Sequence, residues 1–232
     1  MKKKIFAFTF ILFLLTVSAC FADFSGKMAR DTALYFQVKG SGTSENQGDP
    51  DLYNRAKTLF ENKNYYTAYK LFTQSRYNDW EKMAQKCIRR WPQNGEIFRD
   101  ASEWLRDTQL TFKVDQPEDT AVLIRVYKID NKTKAEKPVS YVFIGGSDAV
   151  TITLPGNTTY TIRDGVGADW FGPEDSFGED GAYETMTFGD YEDEKTTIYL
   201  EQRLDYMITI NVENVIGERV GSEDLEWQGF TK

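Results

Sequence analysis

The chain has 232 residues, with 36 acidic against 28 basic side chains, a formal charge of −8 and no histidine. That balance disfavours nucleic acid as a partner, because such contacts demand basic patches. The missing imidazole excludes Ser-His-Asp and Cys-His catalysis and His-based zinc sites; a carboxylate-pair hydrolase, foremost a glycoside hydrolase, or a Ser-Lys pair stays open as the enzymatic alternative.

The N-terminus reads as an export signal over residues 1–22. Met1-Lys2-Lys3-Lys4 is a positive start, and Ile5 to Val17 is an uncharged apolar run, the pattern of a secretory leader. The run is shorter than the roughly twenty residues a membrane span needs. Val17-Ser18-Ala19-Cys20 resembles the lipobox of bacterial lipoproteins, which implies a diacylglyceryl group on the Cys20 thiol. Two acyl chains would anchor the protein stably at the envelope. Cleavage after Ala22 is the competing reading and would leave a secreted or periplasmic chain. Loss of the three lysines takes the formal charge to −11. Cys87 is then the lone thiol, so no intramolecular disulfide is expected and the fold must stand on its core.

Residues 23–50 end in a polar Gly/Ser-containing stretch and read as a flexible tether, with a short strand expected at Ala33 to Val38. From Asp51 the pattern turns helical, and residues 51–107 are expected as a helical segment. Tyr53, Ala56, Leu59 and Phe60 form one stripe, Ala68, Leu71 and Phe72 a second, and Trp80, Met83, Ala84, Cys87, Ile88 and Trp91 a third that Pro92 stops. Lys63 to Ser75 resembles the second half of a tetratricopeptide repeat, with Tyr65, Ala68 and Phe72 at its aromatic, small and aromatic positions and Lys63 where the repeat usually has glycine. The resemblance implies a helical hairpin in which Ala68 lets two helices approach closely.

Near residue 108 the apolar period changes from helical to two. Leu110, Phe112 and Val114 alternate, as do Val122, Ile124 and Val126, and further pairs run as far as Ile208, Ile210 and Val212. About eight short strands separated by turn residues predict an antiparallel β-sandwich over residues 108–232. Val150 to Ile162 reads as a hairpin around Pro155-Gly156 and resembles hairpins of prealbumin-like and immunoglobulin-like modules of bacterial surface proteins.

Residues 170–183 combine Trp170, Phe171, Phe177 and Tyr183 with glycines and acids. This segment resembles a motif of uncharacterised β domains of bacterial cell-envelope proteins: tryptophan, aromatic, glycine, then Phe-Gly and a tyrosine. Three readings stand side by side. The loop is a structural plug in which Trp170 and Phe177 close the end of the sandwich. Alternatively Asp164, Asp169, Glu174, Asp175, Glu179 and Asp180 supply oxygen ligands to Ca2+. In the third reading Trp170, Phe171 and Tyr183 form a platform for sugar rings.

The sequence therefore predicts an α+β protein, a tetratricopeptide-like helical hairpin before an antiparallel β-sandwich. Its expected role is a non-catalytic binding or scaffolding protein of the envelope, with a protein, peptide or glycan partner, no nucleic acid, no cofactor beyond the Ca2+ reading, and a lipid anchor in the membrane. If Cys20 is acylated, labelled palmitate will enter the protein in a bacterial host and be absent from Cys20→Ser; an unlabelled wild type starting at Asp23 would exclude the anchor.

Overall fold

A computed structural model describes residues 48–189, 195–212, 222–224 and 230. The signal segment, Cys20, most of the tether and the strand expected at Ala33 to Val38 lie outside these residues.

Three helices come first. Helix α1 (Pro50–Glu61) begins where the Asp49 carboxylate accepts from the backbone N–H of Asp51 (2.9 Å) and Leu52 (3.0 Å), with Pro50 in the first turn. Helix α2 (Tyr65–Ser75) stops at Arg76, whose φ of 46° is left-handed. Helix α3 (Trp80–Cys87) follows Asp79, whose carboxylate accepts from the Tyr53 hydroxyl. Ala56, Ala68, Phe72 and Cys87 are fully buried together, and the Tyr53 and Phe72 rings meet edge to face at 5.3 Å. Burial pushes the Cys87 thiol up to about 12, so at neutral pH it is a core group and not a nucleophile. The third helix ends earlier than its apolar spacing predicts: Ile88 is already extended, and Arg89 pairs with Trp170 across the molecule.

The strands are β1 (Gly95–Arg99), β2 (Thr108–Asp115), β3 (Ala121–Ile129), β4 (Glu136–Gly145), β5 (Asp148–Leu154), β6 (Thr158–Gly167), β7 (Ala182–Met186), β8 (Thr197–Leu200), β9 (Asp205–Asn211) and β10 (Ser222–Asp224). Seven form one sheet in the order β1-β4-β3-β6-β7-β10, with β8 also beside β6; three form a second in the order β5-β2-β9. The architecture is α+β, with mostly antiparallel sheets.

Three features depart from the sequence reading. Strand β1 lies within the segment expected to be helical and pairs with β4, so the β layer starts before residue 108, and the described residues belong to one compact unit. Strand β9 runs parallel to β2, which the sequence does not reveal, since residues two apart alternate in the same way whichever direction the neighbour takes. Finally, β5 and β6 are no hairpin. They belong to different sheets, and the Pro155-Gly156 turn is the corner between them. There a Cβ on Gly156 would lie 2.3 Å from Gln202 Cα, an approach only glycine allows.

One core takes side chains from both sheets: Leu110, Phe112 and Leu154 from the smaller, Val122, Ile124 and Ile162 from the larger. The other face of the larger sheet is covered too. Leu123, Phe143 and Tyr183 there pack with Trp170, Phe177 and Phe230. Hence β3 is buried from Ala121 to Tyr127 on both faces. The chain from Gly48 is expected to melt in one transition, with circular dichroism and tryptophan fluorescence coincident. Removing residues 48–90 strips the helices from Phe171 and is expected to lower the melting temperature; a residue 108–232 fragment as stable as the longer chain would contradict the single unit.

Candidate functional site

The acidic aromatic loop, residues 168–181, lies between the larger sheet and the helices. Its backbone closes on itself, with Phe171 N–H donating to Ser176 O and Ser176 N–H to Gly172 O, both at 2.8 Å. Trp170 and Phe171 then point into different clusters. Trp170 meets Phe143 at 5.0 Å and Phe177 at 5.4 Å on the sheet. Phe171 meets Tyr66 at 5.0 Å and Tyr69 at 5.3 Å on α2.

Polar bonds fasten the same contact. Arg89 N–H donates to Trp170 O at 2.6 Å, and the Trp91 indole N–H to Ala168 O at 2.9 Å. The Asp175 carboxylate accepts from Tyr66 N–H at 3.2 Å, meeting one of the unpaired N–H groups in the first turn of α2. Lys70 pairs with Glu179 at 2.8 Å, but both side chains are substantially exposed, so this pair contributes at most about 1 kcal/mol. Gly178 has φ +70°, and a Cβ there would sit 2.2 Å from the Tyr66 ring. Both the conformation and the contact require glycine.

From the sheet side the loop is held by Arg125, 2% exposed. Its guanidinium donates to the carbonyls of Phe230 (2.6 Å), Pro173 (2.6 Å) and Glu174 (3.2 Å). It also stacks over the rings of Phe230 at 4.4 Å and Tyr141 at 4.9 Å. The Tyr183 hydroxyl accepts from Phe177 N–H and donates to Gly178 O at 2.6 Å.

The described residues of the predicted site are spread over both faces of the larger sheet. A sugar platform needs an open ring face, and Trp170 (3% exposed), Phe171 (2%) and Tyr183 (5%) have none; this removes them as stacking surfaces. Among the described residues no group of three metal-ligating side chains comes together. Asp164 shares the face of β6 that carries Tyr160, Ile162 and Val166 into the inter-sheet core, whereas Asp169, Glu174, Asp175, Glu179 and Asp180 lie with the loop on the opposite face. Asp164 instead stands opposite Glu184 across β6 and β7, and both are buried. The plug also differs in place from the one expected. It fills the outer face of the larger sheet under the helices and not an end between the sheets.

Sequence reasoning missed Arg125, although a single arginine in the run Ala121 to Tyr127, otherwise apolar or aromatic, was a usable signal. A charge in such a run must be tied by hydrogen bonds. The contributions of Tyr66 and Phe230 had no comparable signal, since distant aromatics carry no mark of which loop they meet.

No family model matches the chain, and no curated protein matches it. Among solved structures it is similar to one described as the membrane-binding domain of pneumolysin, at 17% identity and a TM-score of 0.23, over 51% of this chain and 95% of that chain. A likeness of that size carries no argument.

Trp170→Ala empties a buried indole site and is expected to cost about 3–5 kcal/mol in chemical denaturation. Burial, partly offset by the Tyr66 N–H, raises the Asp175 carboxyl above its ordinary range. A raised folded value means the contribution is favourable below the unfolded pKa and is lost as pH rises through the folded one. Asp175→Asn keeps an acceptor for Tyr66, so it is expected to raise the melting temperature at pH 7 and to lose that gain below about pH 4. An equal effect at both pH values would contradict the burial cause.

Proposed function

We propose that this chain is an exported, non-catalytic binding or scaffolding protein of the cell envelope. The observation that carries the reading is the use made of residues 168–181. The segment richest in aromatic and acidic groups fastens three helices to a sheet: Phe171 lies in the helical core, Trp170 in the sheet cluster, and Asp175 on the first turn of α2. Such a construction favours a rigid body that presents surfaces to a partner. The shared core of the two sheets supports reading them as a sandwich. Ala68 and Phe72, both fully buried in the helical core, support a tetratricopeptide-like hairpin. The N-terminal leader pattern supports export, with Cys20 as anchor.

The reading is tested by presenting the exported chain to glycan and peptide arrays and, in parallel, to chromogenic glycosides. Saturable binding without turnover is expected. Glycoside hydrolysis abolished by Asp164→Asn or Glu184→Gln, with folding retained, would make the protein a carboxylate-pair enzyme instead.

A further inference from the structure

The sequence contains a single Asn-Gly step, Asn94-Gly95, where the stretch after α3 enters β1. Asparagine is a thermolabile residue, and a following glycine, which has no Cβ, lets the next backbone nitrogen reach the side-chain amide carbon. Both residues are nevertheless required here. Gly95 has φ +148°, a conformation that side-chain-bearing residues rarely adopt. Asn94 uses its amide as a clamp. Its Nδ2 donates to Gly145 O at 3.2 Å and to the Asp148 carboxylate at 2.7 Å, and its Oδ1 accepts from Gly145 N–H at 2.8 Å.

The clamp closes a corner at which the two sheets meet. Gly145 ends β4 in the larger sheet and Asp148 opens β5 in the smaller, so one amide ties the entry of β1 to both. The Trp91 ring lies against Gly145, where an added Cβ would come 2.8 Å from the indole. That indole also donates to Ala168 O, which links the same corner to the aromatic loop.

Deamidation would undo these contacts. The Gly95 nitrogen bonds to the Asn94 side-chain carbonyl carbon, the bond to Nδ2 breaks, and ammonia leaves with the Gly95 proton. Water then opens the cyclic imide at either carbonyl and leaves aspartate or isoaspartate. Asn94 is exposed, so water reaches it, but the amide can turn toward Gly95 only while its three bonds are open, which slows the reaction in the folded chain. The product has no donor for Gly145 O, and its carboxylate stands where the amide met Asp148. The bonds from Asn94 and from Ala149 N–H hold the Asp148 carboxyl below its ordinary range, so at neutral pH two like charges would face each other.

We propose that Asn94 is a modification site at which spontaneous deamidation releases β1 from the corner between the sheets. The step consumes only water, and because ammonia is lost it runs in one direction. Freed of β1, the larger sheet loses an outer strand and the backbone of β4 becomes a bare edge. An aged chain then differs from a fresh one at one defined place, whatever partner the protein binds.

The test incubates the full chain at mildly alkaline pH, folded or unfolded in urea, and follows each asparagine by peptide mapping. Conversion is expected at Asn94 ahead of every other asparagine, and more slowly in the folded chain than in urea. In folded Asp148→Ala it should run about tenfold faster, since that variant lacks a hydrogen bond to a charged acceptor. Asn94→Asp stands in for the product and should melt a few degrees below wild type, with faster hydrogen exchange across β1. Adding Asp148→Asn to it should recover most of the loss, because amide and carboxylate then exchange places. An intact Asn94 in the folded chain after the urea sample has converted would overturn the proposal, as would equal rates in folded wild type and Asp148→Ala. So would Asn94→Asp with the melting temperature and β1 exchange of wild type, or a double variant no more stable than Asn94→Asp.

Discussion

Adjacent residues of an extended segment point to opposite sides, and Trp170 and Phe171 use that alternation to enter two clusters at once. Trp170 closes on Phe143 and Phe177, and Phe171 on Tyr66 and Tyr69. Neither the helices nor the outer face of the larger sheet could be covered without this pair. Three short helices bury too little apolar surface to stand alone, and a sheet face carrying Leu123, Phe143 and Tyr183 would be an exposed apolar patch. The dependence explains why β1 and the stretch after α3 belong to the β layer: the Arg89 and Trp91 bonds to the loop hold the helical layer in register with the sheet.

The same arrangement requires a charge inside the protein. Arg125 faces Arg163 directly across β3 and β6, and opposed like charges destabilise a strand pair. The structure answers each differently. Arg163 pairs with Glu136 at 2.6 Å and stacks over Tyr127 at 4.6 Å. Arg125 has three backbone carbonyls and two rings. A guanidinium suits this role because it presents five donors in a fixed plane and is more weakly hydrated than an ammonium. Its carbonyl partners come from the loop and from Phe230, so one buried side chain ties two distant parts of the chain to the central strand.

The two ends of the sheets thus have different fates. At the end near β6's close, aromatic and acidic groups are used internally, and the helices lie over them. At the end where β6 begins, the buried Arg106 and the paired acids Asp100 and Glu103 organise the loops while Trp104 and Leu105 stay in water. Both ends rely on an arginine that donates to carbonyls, Arg125 in one case and Arg106 in the other. Only at the second does that arrangement leave large apolar side chains exposed.

Local chemistry was readable from the chain itself. The stripes through Tyr53 and Ala68 marked two helices, and period-two alternation marked β2, β3 and β9, because each of these depends on residues a few positions apart; the Asp49 cap and Pro50, read with the tether, became the start of α1 only in the structure. Strand partnership was not readable. The Pro155-Gly156 turn serves a hairpin and an inter-sheet corner alike, and β9 alternates identically beside a parallel or an antiparallel neighbour. The candidate loop divides in the same way. Its aromatics and glycines were legible as a special segment, whereas their burial depended on Tyr66 and Tyr69, about a hundred residues earlier, and on Arg125 beneath. Periodicity and capping are properties of the sequence by itself, while the choice between a buried and an exposed tryptophan, Trp170 or Trp104, was made by which distant surface arrived to cover it.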